Sequence, residues 1–364
     1  VEKHFGVYFW TSQKSKTPPM GGRIPRKQDK KTMKLRIGLI GLGDAWQSRH
    51  RPALRVLQNR FDVRAVYSPV AKLAENAASE FQADAVDGYR ALVARCDIDA
   101  VMVLTRTWQQ WLPVLAAAKA GKAIYWAADL DFHPQADRSV RSEIDESGVA
   151  FMVEFPRRYA PATLRLRELI ATRLGPPKLV ICRRRLKDTE GSTIKPAACR
   201  SDPLTQEMIE LIDWCRYVIA REPASVTSSG SVSSDGTEYQ SLSLDFPATV
   251  DLPAVTAQLA SGNYIRPSWQ EAIGFRPPSG MEICCQRGVA FIDLPSSLVW
   301  FDDAGRHVES LETEMPVGEQ LLTQFHRAVT SLVRNSCELR DVFRAATILD
   351  AARTSEREGR RIDV

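Results

Sequence analysis

The sequence predicts an α/β protein: a parallel sheet covered by helices on both faces, followed by an α+β region with a mostly antiparallel, open sheet. Three observations carry that expectation. Between residue 35 and about residue 155, short and almost wholly apolar strands alternate with helical segments, as strands buried on both faces require. After residue 158 the strands alternate apolar with polar residues, as in Gln240-Ser241-Leu242-Ser243-Leu244, the pattern of a half-buried sheet. Between the first strand and the first helix stands a glycine turn, Gly41-x-Gly43.

In the first region the pattern places strands at 35–42, 63–67, 100–105, 123–127 and 150–155. Helices fall between them at 46–57, 71–81, 109–120 and 135–147, with Gly121 as a C-terminal stop. Past a boundary near residue 155 come a helix at 161–172, a strand at 179–185 and a helix at 203–219. Strands follow at 238–244, 255–259, 281–293 and 298–301, with a hairpin turn at Asp303-Ala304-Gly305. Helices at 319–334 and 339–358 close the chain, the second capped by Gly359. The expected domains are a disordered basic tail at 1–33, a nucleotide-binding domain at 34–155 and a second domain at 156–364.

Composition removes several function classes. The 364 residues are 44% hydrophobic and 26% charged, ordinary for a globular chain of about two domains. No apolar run approaches the ~18 residues that span a bilayer, so no membrane partner is expected. The first 33 residues hold eight basic and two acidic side chains, net +6, which leaves the other 331 at −1 against a whole-chain +5. A near-neutral body has no electrostatic reason to seek nucleic acid. The apolar cluster at 5–10 is too short for a signal-peptide core. Seven scattered cysteines without C-x-x-C spacing point to reduced thiols and a cytoplasmic location. Cys284 and Cys285 are neighbours in a strand and face opposite ways, and the five histidines form no H-x-x-x-H pair, so no metal is expected.

The glycine turn carries the first chemistry. A strand, Gly41-x-Gly43 and a helix present backbone N–H groups to a pyrophosphate, which makes Gly41, Gly43, Asp44, Ala45 and Trp46 cofactor-binding candidates. Trp46 stands where a third glycine normally lets the helix pack closely on the strand. Ser68, at the end of the second strand, replaces the acid that commonly binds the ribose of NAD. With Lys72 four residues on, the cofactor expectation is NAD or NADP, leaning to NADP.

The stretch at 36–54 (RIGLIGLGDAWQSRHRPAL) resembles the start of the Gfo/Idh/MocA family of glucose–fructose oxidoreductase and inositol dehydrogenase. So do DIDAVMVLT at 97–105, KAGKAIY at 119–125, FPRRYAP at 155–161 and the closing SEREGRRIDV at 355–364, with Ile362 where the family has valine. The resemblance runs from about 34 to 364. It implies a Rossmann domain, a second domain whose open sheet builds a homo-oligomer, and NAD(P)-dependent hydride transfer on a sugar- or polyol-like small molecule.

Three of the family's motifs are altered. After the strand at 100–105 the family has T-P-N-x-x-H near the nicotinamide; here Thr105-Arg106-Thr107-Trp108 follows, with Thr105 and Thr107 as cofactor contacts. The family's E-K-P lysine, which bonds the reacting hydroxyl, is replaced in Ala127-Ala128-Asp129. Lys122 lies six residues up the strand, ~20 Å away, and cannot substitute. The helical D-x-x-x-H-x-x-D becomes Gln206, Glu210 and Asp213. Removing an alcohol proton requires a base within hydrogen-bond reach. The register offers Glu210, on one helix face with Gln206 and Asp213, or Asp129 and Asp131 on the opposite wall. Glu210 and Asp129 are the catalytic candidates, and Arg158, Gln206 and Asp213 the substrate-binding ones. Arg157 and Arg158 form a basic pair at the domain junction, while His50 reads as structural. The expected function is an oxidoreductase with a rearranged site. The alternative is a catalytically inactive dinucleotide- or sugar-binding member with a regulatory or scaffolding role.

Overall fold

A computed structural model describes residues 34–104, 111–127, 137–186, 202–232, 238–264, 271, 275, 279–331 and 337–364. Thr105, Thr107, Asp129, Asp131 and the tail at 1–33 lie outside the described residues.

The first sheet holds β1 (Leu35–Ile40), β2 (Phe61–Tyr67), β3 (Asp84–Ala85), β4 (Ala100–Val103), β5 (Ala123–Trp126) and β6 (Phe151–Val153), all parallel, in the order β3-β2-β1-β4-β5-β6. The order reverses between β1 and β4, which opens a crevice above the carboxyl ends of the strands. Alternation decides which residues face which way. Ile37, Leu39, Met102, Tyr125 and Met152 pack on one side, and Val101, Val103, Ile124, Trp126 and Val153 on the other. Both sets are almost fully buried, so the strands read as continuous apolar runs. Between the strands lie α1 (Arg51–Val56), α2 (Ala71–Phe81), α3 (Tyr89–Val93), α4 (Leu112–Lys119) and α5 (Arg138–Ser147). The sequence pattern gave no sign of β3 and α3, because two exposed residues and a five-residue helix leave no periodicity to read.

The second sheet has nine strands in the order β14-β13-β12-β11-β7-β10-β9-β8-β15. They are β7 (Pro177–Arg185), β8 (Ser225–Val232), β9 (Glu238–Phe246), β10 (Val255–Gly262), β11 (Met281–Cys285), β12 (Val289–Asp293), β13 (Ser297–Asp302), β14 (Gly305–Ser310) and β15 (Ile362–Asp363). Only β7 and β10 pair in parallel. The single strand expected at 281–293 is instead the β11–β12 hairpin. A Cβ at Gly288 would lie 2.2 Å from the Phe301 carbonyl oxygen, so the turn can close beside β13 only with glycine.

Helices α6 (Pro161–Leu169), α7 (Pro203–Ile219), α8 (Val317–Thr330) and α9 (Cys337–Glu358) complete the fold. The start of α7 is set by Asp202, whose carboxylate accepts from the backbone N–H groups of Leu204 and Thr205, both at 3.0 Å, with Pro203 in the first turn. Eleven of its seventeen residues are buried, Trp214 and Ile212 among them. The end of the chain is stapled by Ser355, whose hydroxyl donates to the Arg360 carbonyl at 2.6 Å and accepts from the Ser228 N–H at 3.0 Å. Ile362 then pairs with Val226 in the sheet.

Helix α8 follows the second sheet in sequence but fills the core of the first. Leu321, Leu322 and Phe325 pack with Ile37, Leu39 and Tyr125. Its first turn sits directly on the segment before α1, where a Cβ at Gly318 would be 2.7 Å from the Arg49 carbonyl oxygen.

Candidate active-site cleft

The glycine turn is tied to the sheet at its start and closed on itself at its end. Gly41, at φ +76°, donates its N–H to the Tyr67 carbonyl of β2 at 2.8 Å, and the Trp46 N–H returns to the Gly43 carbonyl at 2.9 Å. The chain then makes a wide π-helical turn over Trp46–His50 before α1 begins. That turn resolves the conflict over Trp46. Its indole is buried edge-on against Phe81 of α2, with ring centres 6.0 Å apart, so the bulk is packed beside the strand rather than under it.

A cleft of about 790 Å³ runs from this turn to α7. Asp44, Ala45, Ser48 and Arg49 line one end, and Gln206 and Glu210 of α7 the other. Leu104 and Ala127, just past β4 and β5, together with Glu154, just past β6, form its floor at the carboxyl edge of the sheet. Residues 316–319 at the start of α8 add to the wall near Arg49.

Glu154 is the centre of a buried network. Its Oε2 accepts from the His50 Nε2–H at 2.6 Å and from the Tyr125 hydroxyl at 2.7 Å, while its Oε1 pairs with Arg49 Nη1. Burial pushes this carboxyl up, but the hydrogen bond and charge of His50, the Arg49 guanidinium and the Tyr125 hydroxyl outweigh it, and the net shift is downward. Nothing in the sequence argument singled out Glu154. The available signal was an acid set inside the apolar run 151–155, where an unpaired charge would be costly.

On the α7 wall the balance reverses. Burial raises the Glu210 carboxyl above its ordinary range and the Glu207 charge adds to the effect, against the opposing Arg157 guanidinium. Arg157 donates through Nη2 to both Glu207 oxygens at 2.8 and 2.7 Å, and its Nε lies 3.4 Å from Glu210 Oε2. Its Nη1 is buried with no hydrogen-bond partner, on a side chain that lines the cleft.

The predicted site residues separate into two groups. Asp44, Ala45, Gln206 and Glu210 meet in the cleft, with Gly41, Gly43 and Trp46 in the turn that leads into it. Arg158 and Asp213, expected beside substrate, are not among the residues that line it. The Arg158 Nε donates to Asp213 Oδ2 at 2.6 Å and its Nη1 lies 2.9 Å from Asp341 of α9, with Arg216 joining the same carboxylates. Their charges satisfy one another between α7 and α9, so the pair ties these helices together. Ser68 is buried, and its hydroxyl accepts from the Val70 N–H at 3.3 Å. Among the described residues there is no cluster able to hold a metal, and no helix is long and apolar enough to cross a membrane.

Comparison with known proteins agrees with this geometry. Residues 35–155 match the family model described as "Oxidoreductase family, NAD-binding Rossmann fold". An inositol 2-dehydrogenase of Rhizobium meliloti is 27% identical over 219 residues, covering 58% of this chain and 64% of that protein. An inositol 2-dehydrogenase/D-chiro-inositol 3-dehydrogenase of Shouchella clausii is 31% identical over 189 residues, covering 50% and 53%. The chain thus spans about half to two thirds of the curated relatives it matches. Among solved structures, levoglucosan dehydrogenase in complex with NADH and levoglucosan superposes with a TM-score of 0.74 at 16% identity, over 91% of this chain and 100% of that one. Aldose–aldose oxidoreductase from Caulobacter crescentus gives 0.75 at 15% identity over the same shares, 91% and 100%. Both show the two-sheet fold. Residues 35–155 are thus similar to the NAD-binding Rossmann domain of the Gfo/Idh/MocA oxidoreductase family.

Proposed function

We propose that this protein is an NAD(P)-dependent oxidoreductase that acts on a sugar- or polyol-like substrate, with Glu210 as the group that takes or returns the hydroxyl proton. One observation carries the reading: a single cleft joins the glycine turn, the carboxyl ends of β4, β5 and β6, and the Gln206–Glu210 face of α7. The residues fit a dinucleotide. Gly41 adopts the left-handed backbone of the phosphate turn, and the cleft begins at Asp44 and Ala45 directly after it. A bound nicotinamide supplies hydride acceptance, and the protein must supply binding, orientation and a base.

Glu210 suits that last role because burial raises its pKa toward the range in which a carboxylate exchanges protons near neutrality. Gln206, one turn before it on the same face, offers amide donors and an acceptor for neighbouring hydroxyls. The unpartnered Arg157 Nη1 is a further donor for a substrate oxygen. Asp129, on the β5 side, remains the second catalytic candidate, and Thr105 and Thr107 remain cofactor contacts by register. Ser68 presents no carboxylate to repel a 2′-phosphate. Lys72, paired with Glu75 at 3.3 Å, adds a cation nearby, which supports use of NADP as well as NAD. The open face of the second sheet is the proposed homo-oligomer surface.

A second reading, a binding protein without hydride transfer, draws on Arg157 standing 3.4 Å from Glu210, where it holds the carboxylate in an ion pair. Nicotinamide absorbance with myo-inositol, glucose and levoglucosan as the substrate panel separates the two. Reduction of NAD or NADP with any of them supports the oxidoreductase. Tight NADH binding with no turnover on the panel supports the binding protein.

A further inference from the structure

Among the described residues that line the cleft, Arg49 is the cation carried by the segment that follows the glycine turn. Its backbone N–H donates to the Ala45 carbonyl at 2.9 Å, and its side chain, 30% exposed, lines the cleft with Asp44, Ala45 and Ser48. The other two cleft arginines, Arg157 and Arg184, are drawn toward Glu207 on α7, at 2.7 and 3.4 Å. Among the described residues, Glu154 is the one side chain that hydrogen-bonds Arg49, through Nη1, while the Glu210 carboxylate also feels the Arg49 charge. Nε and Nη2 are left for a ligand.

Glu154 is built to keep that cation in place. Its carboxylate is 4% exposed and anchored from beneath by His50, from the turn before α1, and by Tyr125 of β5. Those two donors occupy one oxygen and leave the other aimed at Arg49. Gly318 brings α8 to 2.7 Å from the Arg49 carbonyl, measured from the Cβ it lacks, and so closes the backbone of Arg49 in from the other side.

We propose that Arg49 binds the pyrophosphate of the dinucleotide and that Glu154 is the positioning residue that holds it there. The inference rests on the dinucleotide reading above. A guanidinium with Nη1 committed to a carboxylate still has donors to offer two phosphate oxygens, and a preset orientation lowers the entropy lost on binding.

Titration calorimetry with NADH and with ADP-ribose tests this on the full chain. If the parent protein binds neither, the dinucleotide reading itself fails, and the inference with it. If it binds both, Arg49→Gln should weaken both to the same degree, by about tenfold or more, as loss of a charge-assisted contact predicts. Arg49→Lys should recover part of the loss. Loss for NADH alone would place the contact at the nicotinamide and overturn the assignment, as would unchanged affinity for both.

Glu154→Gln discriminates further. Removing a negative charge from the cleft should strengthen anion binding if Glu154 acts only through its field. Positioning predicts the opposite, weaker binding, and no additional weakening when Arg49 is already glutamine. A thermal melt run alongside shows whether each variant is folded. Where Glu154→Gln does not fold, the two Arg49 variants, at a partly exposed side chain, decide the matter.

Discussion

Two carboxylates on one cleft respond to burial in opposite ways. Glu154, on the sheet floor, is held below its ordinary pKa, whereas Glu210, on the α7 wall, is raised above it. Burial pushes both carboxyls upward, so burial alone does not decide. Glu154 accepts hydrogen bonds on both oxygens from His50, Tyr125 and Arg49. Glu210 has one arginine at 3.4 Å that is already shared with Glu207, whose own charge works against it, and the Gln206 side chain and the Arg49 charge only partly offset burial. A carboxylate whose lone pairs are filled by fixed donors is a structural anion, and one with an incomplete shell can still exchange a proton. Pairs pushed apart in this way are the usual mark of divided roles in an active site.

The largest expected effect breaks the reactive half of the comparison. Glu210→Gln should lower turnover by about 10²–10⁴-fold, with NADH affinity within a few-fold of the parent, checked by steady-state absorbance and calorimetry. Next comes the structural half. Glu154→Leu leaves His50, Arg49 and Tyr125 facing an apolar group, and breaking a buried charged network by removing one partner costs about 3–5 kcal/mol. Denaturant unfolding should show that loss, while Glu210→Leu should cost much less, because Arg157 keeps its two bonds to Glu207.

A third prediction sharpens the contrast through pH. Glu154, with a lowered folded pKa, contributes stability that is full above the ordinary carboxylate range and lost as pH falls through its folded value. The penalty of Glu154→Gln should therefore shrink on acidification. Glu210, with a raised folded pKa, favours folding most below the ordinary range and loses that contribution as pH rises through its folded value. Glu210→Gln should accordingly gain stability relative to the parent as pH rises. Unfolding midpoints of the three proteins from pH 8 down to about pH 2 check both signs. The smallest effect concerns the seam behind Arg49: Gly318→Ala must push α8 off the Arg49 carbonyl, at a cost of about 1–3 kcal/mol by the same unfolding assay.

The elements set by local pattern were legible in the sequence. Helices α2 and α7 fall on the expected residues, because each has a clear apolar stripe, and α7 has the Asp202–Pro203 start as well. The glycine turn and the α7 face of the cleft followed from motif and register. What could not be read was long-range. Helix α8 belongs to the first core although its neighbours in sequence build the second sheet, and periodicity tells which face is buried without telling against what. The same limit hid Glu154, whose three partners come from residues 49, 50 and 125. It also hid the partners of Asp213. Spacing put Asp213 on the face of Glu210, but Arg158 and Arg216 draw it toward α9 instead.

Glu210 is proposed as the proton-carrying group of a dinucleotide-dependent site. The pH profile of kcat/KM for NAD reduction on the substrate panel, for the parent and for Glu210→Gln, tests it most directly. With Glu210 as the base, the parent rate rises with pH through the raised pKa of Glu210, and the variant is about 10²–10⁴-fold slower with that rise abolished. A Glu210→Gln enzyme that keeps the parent rate and the parent profile would contradict it.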